Sequence, residues 1–277
     1  MGTRRKLMAV LAHPDDESLG FGGTLAKYAA EGVEVSVVTA TRGDAGRFRG
    51  HPRGDAAHPG PVALGQIREA ELRAAASALG VHEVSVLGYP DQHLDRADPR
   101  EAAGRIAARI RRFRPDVVLT FGPDGAYGHP DHIAISQFAT AAVVAAADAA
   151  FVVEGADAAA PPHAVSKLYY IAWPASTWRA YETAVRTLSS TVDGVERRAT
   201  PWPDWAITTA IDTTDMWPIV WRAVSCHDSQ VASYERLRDL PPDQHKMLWG
   251  QQSFYRTLSL VNGGRARETD LFEGVGR

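Results

Sequence analysis

The segment KLMAVLAHPDDE (residues 6–17) joins a run of apolar residues to a cluster of potential metal ligands. The apolar run, residues 6–11, is typical of a buried β-strand. His13 and Asp16 lie three residues apart on the turn that leaves this strand, so an imidazole nitrogen and a carboxylate oxygen can converge on one ion. Asp15, which lies between them, can serve another role. The segment therefore predicts half of a metal site at the end of a strand.

A second polar cluster, YGHPDH (residues 127–132), follows another strand-like run. It contributes His132 as a third candidate ligand, with His129 as the alternative. Either cluster alone could instead cap a helix, with Asp16 or Asp131 as the capping residue. Two such clusters at strand ends of one sheet favour a metal site with two nitrogen ligands and one oxygen ligand.

Segments typical of strands alternate with segments typical of helices along the first two thirds of the chain. The predicted strands cover residues 6–11, 33–39, 84–88, 116–122 and 168–173, with a sixth at 206–211. The predicted helices cover residues 23–31, 64–79, 99–113 with Asp98 as N-cap, and the first part of the Ala-rich stretch 139–160. This alternation predicts an α/β fold: a Rossmann-like, doubly wound, mostly parallel sheet with the active site at the carboxyl ends of the strands.

Length and composition fit one domain that spans residues 1–277, with 45% hydrophobic residues to form its core. We expect residues 1–175 to form the sheet core with both polar clusters, and residues 176–277 to close the substrate pocket. The long segment 41–61 has little periodicity and is predicted to be a functional loop.

A formal net charge of -3 without a basic block argues against a nucleic-acid partner. Cys226 is the only cysteine, so neither an intrachain disulfide nor a cysteine metal cluster can form.

The N-terminal basic residues and the apolar run after them resemble a signal peptide only briefly, because the run is short and ends in acidic residues. We therefore expect a cytoplasmic protein that begins with a strand. Acidic residues at Asp148, Glu154 and Asp157 interrupt the Ala-rich stretch, which argues against a membrane span. The sequence leaves the oligomeric state open, a homo-oligomer included.

The motifs AHPDDE (residues 12–17) and GHPDH (residues 128–132) together resemble those of the zinc-dependent N-acetylglucosaminyl deacetylases of the PIG-L and LmbE-like superfamily. A weaker similarity extends to CHDSQ at residues 226–230. The resemblance implies a zinc ion held by His13, Asp16 and His132. Fe2+, Co2+ and Mn2+ accept the same types of ligand.

The resemblance also implies catalytic roles. Asp15 matches the family's general base, and His129 matches the histidine that stabilises the oxyanion. Asp131 matches the carboxylate that holds this histidine in its protonated form. Tyr127 matches a tyrosine that swings over the site. Each has a structural alternative: Asp15 as a helix cap, His129 as a ligand in place of His132, and Tyr127 as an aromatic side chain that packs in its loop.

Two residues match substrate-binding positions of the family. Arg68 would bind sugar hydroxyls, or else be a solvated charge on its helix, and Asp91 would face the substrate, or else form a turn. Glu17 is expected to support the site. The candidates for its rim are His51, His58, His93, His227 and Gln230.

The activity implied by the resemblance is hydrolysis of the N-acetyl group of a GlcNAc-containing small molecule or glycoconjugate, which releases acetate and a free amine. One alternative is an amidase that cleaves a larger acyl group, such as that of a mycothiol-type conjugate. A more distant alternative is a sugar-binding protein that holds a metal without catalysis.

Overall fold

A mostly parallel sheet of seven strands, in the order β3-β2-β1-β4-β5-β9-β8, forms the centre of the computed structural model. The model describes residues 4–153, 160–184, 189–192, 194–264 and 266–276. The strands are β1 (Lys6–Leu11), β2 (Glu34–Thr41), β3 (Glu83–Tyr89), β4 (Val117–Thr120), β5 (Lys167–Ile171), β8 (Thr209–Asp212) and β9 (Gln251–Ser259). A separate hairpin consists of β6 (Ser189–Val192) and β7 (Val195–Arg198).

Helices cover both faces of the sheet, as the doubly wound prediction requires. They are α1 (Asp16–Leu19), α2 (Gly22–Ala30), α3 (Pro61–Ala78), α4 (Pro99–Phe113), α5 (Gly125–Gly128), α6 (Pro130–Ala147), α7 (Ala175–Ala184), α8 (Trp217–Ser225), α9 (Val231–Arg238) and α10 (Pro242–Trp249). Helix α4 packs against α6, whereas α8 packs against α2 and α3. Within the described ranges, no helix combines the length and the apolar composition needed to cross a bilayer.

Strand β1 occupies the middle of the sheet, where it pairs in parallel with β2 on one side and β4 on the other. Its residues from Leu7 to Leu11 are almost completely buried. The chain runs outward from β1 to β2 and β3 and then returns to β4 and β5, so the strand order reverses between β1 and β4. Ligands in such sheets bind at this reversal point, beyond the carboxyl ends of the strands. Both polar clusters leave the sheet there.

The predicted elements of the first two thirds are confirmed to within a few residues. Helix α4 begins as expected: the Asp98 carboxylate accepts a hydrogen bond from the Glu101 backbone N–H at 2.8 Å, and Pro99 occupies the first helical position. The Ala-rich helix is α6, which begins at Pro130, before the Ala-rich stretch, and ends within that stretch at Ala147. Residues 154–159 of the stretch lie outside the described residues. Sequence analysis missed β9, because this strand lacks regular alternation and its partners β5 and β8 are distant along the chain.

A buried ion pair joins β5 to the C-terminal segment. Lys167 is completely buried, and its Nζ lies 2.7 Å from Glu268 Oε1. The other partners of this carboxylate are Tyr169, Thr209, Asn262 and Arg256. Burial by itself raises the pKa of Glu268, but the hydrogen bonds from Lys167, Asn262 and Tyr169 outweigh burial and lower the pKa to about 2.

Replacing Glu268 by alanine should lower the free energy of unfolding by about 3–5 kcal/mol, because it leaves the Lys167 ammonium buried without its carboxylate. Urea unfolding of both proteins measures the difference. Glu31→Ala, which removes an exposed partner of Lys27, is the control and should cost less than about 1 kcal/mol. Because the folded-state pKa of Glu268 lies below its ordinary value, the stabilisation is complete above about pH 4.5 and is lost as the pH falls toward 2. A Glu268→Ala loss no larger than that of the control would contradict this assignment.

Candidate metal centre and active site

Three side chains from the two polar clusters converge at the reversal point of the sheet. His13 Nδ1 lies 3.2 Å from His132 Nε2, and His132 Nε2 lies 3.3 Å from Asp16 Oδ1. All three residues are buried. Their ligand atoms lie within 4.8 Å of one another.

The separations of these atoms fit one small divalent cation. Zinc binds nitrogen and oxygen ligands at about 2.0–2.2 Å, so two ligands at the corners of a tetrahedron lie about 3.3–3.6 Å apart. The closest pairs of the cluster, at 3.2 and 3.3 Å, are close to this spacing. Two imidazole nitrogens and a carboxylate oxygen also form the type of donor set that zinc and its neighbours in the first transition row accept. The residues of the site therefore fit a metal ion.

Local structure fixes the orientation of Asp16. Its Oδ2 accepts hydrogen bonds from the backbone N–H groups of Ala12 at 3.1 Å and of His13 at 2.7 Å. The N-cap residue of α1 is Asp15, whose side chain makes no capping hydrogen bond. Asp16 thus turns one oxygen to the backbone and the other toward His132, so its side chain does not cap the helix and is available as a ligand.

The side chain of His132 is held by stacking. Its ring lies 3.9 Å from the ring of Phe121, with only 10° between the two planes. Its Nδ1 has no hydrogen-bond partner among the described residues. The orientation of this candidate ligand therefore depends on an aromatic neighbour at the end of β4.

Two carboxylates hold the other ring nitrogen of His13. Nε2 lies 3.1 Å from Asp131 Oδ2 and 3.2 Å from Asp91 Oδ1. Burial by itself lowers the pKa of His13, but the hydrogen bonds to Asp131 and Asp91 outweigh it and raise the pKa to about 10. A carboxylate behind a ligating histidine fixes its tautomer and increases its basicity. Nδ1 of His13 is thereby directed toward the metal position.

Asp131 is buried, and backbone donors fix its carboxylate. It accepts hydrogen bonds from the N–H groups of Gln92 at 2.8 Å and Leu94 at 3.1 Å. The residue that caps α6 is His129, whose Nδ1 accepts a hydrogen bond from the Asp131 backbone N–H at 3.2 Å. The Asp131 carboxylate thus lies against His13, whereas the sequence interpretation pairs it with a protonated His129.

The ring of His129 lies against the candidate ligands, 4.9 Å from the ring of His13 and 4.8 Å from that of His132. Because Nδ1 accepts a hydrogen bond, the neutral ring carries its proton on Nε2. Burial and the positive charges of His13 and His132 lower the pKa of His129 to about 3. A neutral imidazole with an N–H donor can stabilise a developing oxyanion. A second potential metal cluster consists of His13, His129 and Asp131, but the backbone hydrogen bonds to Asp131 occupy both of its oxygens.

Asp15 has a left-handed backbone conformation, with φ at 102°. Its Oδ2 lies 3.2 Å from Arg68 Nη2. Arg68 is buried and also donates to the carbonyl groups of Gly43 at 2.8 Å and Pro14 at 2.6 Å. A Cβ at position 43 would collide with the guanidinium, so this close approach requires glycine. Arg68 is therefore not a solvated helix charge; it orients Asp15.

Asp91 is also part of the site and not only of its turn. In addition to its contact with His13, it accepts a hydrogen bond from the backbone N–H of Ala45 at 3.0 Å. Burial raises its pKa, but the hydrogen bond and the charge of His13 outweigh burial and lower the pKa to about 2. This carboxylate ties the long loop after β2 to the metal cluster.

Glu17 and His227 form a buried pair beneath Asp15. Neither is exposed to solvent, and His227 Nε2 lies 2.7 Å from Glu17 Oε1. The expectation that His227 lies at the rim of the site is wrong, because its ring is completely buried. The similarity at residues 226–230 was the sequence signal for this residue, but nothing in the sequence indicated its partner.

A cavity of about 530 Å³ opens beside the cluster. The ring of Tyr127 lies at this opening in edge contact with the rings of His129, 5.9 Å away, and His132, 5.4 Å away. The polar side chains of the wall come from the loop after β3 and from β6. The lining residues are Gln92, Asp95, Arg96, Tyr127, His129, Pro130, Asp131, Ser189, Ser190, Thr191 and Val192.

The fold and the cluster define a class: a Rossmann-like α/β protein with two histidines and one carboxylate, arranged as a metal ion requires, at the reversal point of its sheet. The model of the PIG-L family, described as GlcNAc-PI de-N-acetylase, matches residues 8–143. A 1D-myo-inositol 2-acetamido-2-deoxy-alpha-D-glucopyranoside deacetylase of Kineococcus radiotolerans is 36% identical over 98% of this chain and 83% of its own length. The chain belongs to the PIG-L family and is a deacetylase that hydrolyses an amide C–N bond.

Solved structures support the fold. An N,N'-diacetylchitobiose deacetylase of Pyrococcus horikoshii is similar with a TM-score of 0.68 and 23% identity, covering 92% of this chain and 84% of that one. GalB, the 4-carboxy-2-hydroxymuconate hydratase of Pseudomonas putida, is similar with a TM-score of 0.65 and 20% identity, covering 95% of this chain and all of that one. Because this fold occurs in a deacetylase and in a hydratase, the fold by itself does not decide the activity.

Proposed function

We propose that this protein removes the acetyl group from an N-acetylglucosamine unit joined to inositol, with zinc held by His13, Asp16 and His132. The main support is the convergence of these ligands beside the carboxylate of Asp15. The family and the substrate in the name of the Kineococcus relative support the choice of an amino sugar and of inositol. When bound, zinc supplies a Lewis acid for the acetyl carbonyl and lowers the pKa of a water molecule toward neutrality.

Asp15 is the general base in this proposal. Its carboxylate takes a proton from the attacking water as the new C–O bond forms. Arg68 holds this carboxylate in place and balances its charge. Asp15 then returns the proton to the nitrogen as the C–N bond breaks, so the products are acetate and a free amine. His129 is the other candidate donor, but burial and the neighbouring histidines lower its pKa to about 3, so its neutral ring has no proton to give to the amine.

His129 donates its Nε2–H to the oxygen that becomes negatively charged. Such a fixed donor stabilises the tetrahedral state without reorganisation. Asp131 acts through His13, whose orientation it fixes. Tyr127 covers the opening of the site and adds a hydroxyl donor when it turns inward.

Polar side chains around the cavity bind the rest of the substrate. Arg68 and Asp91 match the family's sugar-binding positions, but here they are buried against Asp15 and His13 and do not line the cavity. We assign the inositol to the polar wall formed by Asp95, Arg96 and Ser190. Strand β6 lines the cavity and belongs to residues 176–277, which supports a role of this part of the chain in closing the pocket. Side chains with hydroxyl, carboxylate and guanidinium groups suit a polyol better than an apolar acyl chain.

The zinc-loaded protein should release acetate and amine from the inositol conjugate of GlcNAc with a kcat/KM at least about tenfold above that for free GlcNAc or N,N'-diacetylchitobiose, because only the conjugate fills the polar cavity. Amine labelling and an acetate assay measure the two products. The panel also contains a GlcN-inositol that carries a bulky cysteinyl acyl group.

Each outcome of this panel distinguishes the candidate functions. Preferred cleavage of the bulky amide would favour the amidase alternative. Saturable binding of the inositol conjugate without any product would favour the sugar-binding alternative. Loading the same protein with Fe2+, Co2+ or Mn2+ tests the choice of zinc. A larger kcat with one of these ions than with zinc would make that ion the proposed metal instead.

A further inference from the structure

A continuous path of two hydrogen bonds connects the C-terminal third of the chain to the backbone of Asp15. His227 Nε2 lies 2.7 Å from Glu17 Oε1, and Glu17 Oε2 accepts a hydrogen bond from the Asp15 backbone N–H at 2.9 Å. His227 and Glu17 are 210 residues apart in the chain. The path therefore exists only in the folded protein.

The backbone at the end of this path is strained. Asp15 has a φ of 102°, an unfavourable conformation for a non-glycine residue that persists only where its surroundings hold it. The hydrogen bond from its N–H to Glu17 lies directly at the strained residue. This contact, together with the hydrogen bond from Arg68 to the carbonyl of Pro14, fixes the peptide that carries the carboxylate of Asp15.

Glu17 can hold this N–H only if its own carboxylate is fixed. It is completely buried, and its other oxygen has two donors, Ser18 Oγ at 2.6 Å and His227. Loss of a hydrogen-bond donor to a buried carboxylate costs free energy, so the carboxylate reorients or binds water instead. Ser18 is its neighbour in the chain, whereas His227 anchors it to a separate element.

The segment that carries His227 is itself attached to the active-site side of the molecule. Ser229 donates from its backbone N–H and its hydroxyl to Glu71 on α3, each at 2.6 Å. Gln230 donates to the carbonyl of Arg47 at 2.8 Å, in the long loop after β2. The position of His227 is thus fixed relative to the helix that also carries Arg68.

We propose that His227 is a positioning residue for the deacetylation: through Glu17 it holds the strained backbone of Asp15 so that the carboxylate faces the attacking water. This role rests on the proposed function of Asp15 as the base. His227 does not line the cavity, and its hydrogen bond goes to Glu17 and not to a candidate metal ligand.

The test compares His227→Ala, His227→Asn and His227→Gln. In His227→Ala, kcat should fall about 10–100-fold, the usual effect of removing a support of an active-site residue, with KM and metal content unchanged. The amide nitrogen of glutamine can reach the carboxylate that histidine Nε2 reaches, whereas that of asparagine is one bond short. We therefore expect His227→Gln to recover most of kcat and His227→Asn to remain low. The Asn and Gln variants keep the test available if the alanine variant does not fold.

A second readout does not require turnover. The Asp15 amide should exchange with solvent at least about tenfold faster in metal-free His227→Asn than in the metal-free wild type, because it loses its fixed acceptor. His245→Ala is the matched control: this histidine is also buried in the C-terminal part, but it bonds to the carbonyl of Leu237. It should lower the melting temperature without changing kcat or exchange at Asp15.

The two readouts separate this inference from the proposed function. If the wild type deacetylates nothing, the proposed function fails, and amide exchange at Asp15 alone decides whether His227 holds that backbone. Unchanged exchange at Asp15 in His227→Asn would overturn the inference. So would a loss of kcat that His227→Gln does not recover, or one that His245→Ala reproduces.

Discussion

The His132→Ala protein should bind no metal at micromolar concentration and should lose at least about a thousandfold in kcat/KM. Removal of one of three candidate ligands leaves a histidine and a carboxylate, which is too few for a catalytic zinc site. The metal supplies several kcal/mol of transition-state stabilisation, and each 1.36 kcal/mol corresponds to a factor of about ten in rate. Metal analysis after dialysis and the amine-release assay measure the two losses.

Two comparisons make this result specific. His13→Ala and Asp16→Ala should lose the metal in the same way, whereas His82→Ala, an exposed histidine before β3, should change nothing. His129→Ala should keep its metal while it loses activity. Metal loss in His129→Ala and retention in His132→Ala would show that the ligand is His129 instead.

The Asp15→Asn protein should keep its metal and its fold but lose about 10²–10⁴-fold in kcat, which is the usual contribution of a general base. Asparagine matches the shape of aspartate and tolerates the left-handed backbone at this position. The backbone N–H that bonds to Glu17 remains. Steady-state kinetics of the zinc-loaded variant give kcat and KM separately, and the main change should be in kcat.

Asp98→Asn is the control for the chemistry of this substitution. Asp98 caps α4 at a distance from the cluster, and asparagine is an equally good N-cap, so stability and activity should both be preserved. If the Asp15→Asn protein retained full kcat, a different group would have to accept the proton from water. An Asp15→Asn protein without metal would instead make Asp15 a support of the metal cluster.

Local patterns in the sequence were sufficient to predict the part of the fold that carries the candidate site. The apolar run of β1 is buried throughout, and the cap of α4 depends on neighbours in the chain. The carboxyl ends of parallel strands share one edge of a sheet, so two polar clusters after β1 and β4 had to meet. Neither step needs knowledge of side-chain packing.

The side-chain contacts within the site could not be predicted from local sequence patterns. The sequence interpretation paired Asp131 with His129, its neighbour but one, whereas the folded chain places the Asp131 carboxylate on His13, 118 residues away. It regarded His227 as a rim residue, although this side chain is buried against Glu17. It also missed β9, which is stabilised by hydrogen bonds to β5 and β8 and not by its own periodicity.

The sequence by itself determined the order of strands and helices in the first two thirds, the edge of the sheet at which chemistry occurs, and the residue types available there. The tertiary structure alone decided which atoms face one another: the nitrogens of His13 and His132, the buried pair of Glu17 and His227, and the ion pair of Lys167 and Glu268. The physical reason is that periodicity and capping depend on residues a few positions apart. The direction of a buried side chain instead depends on packing between segments that are more than a hundred residues apart.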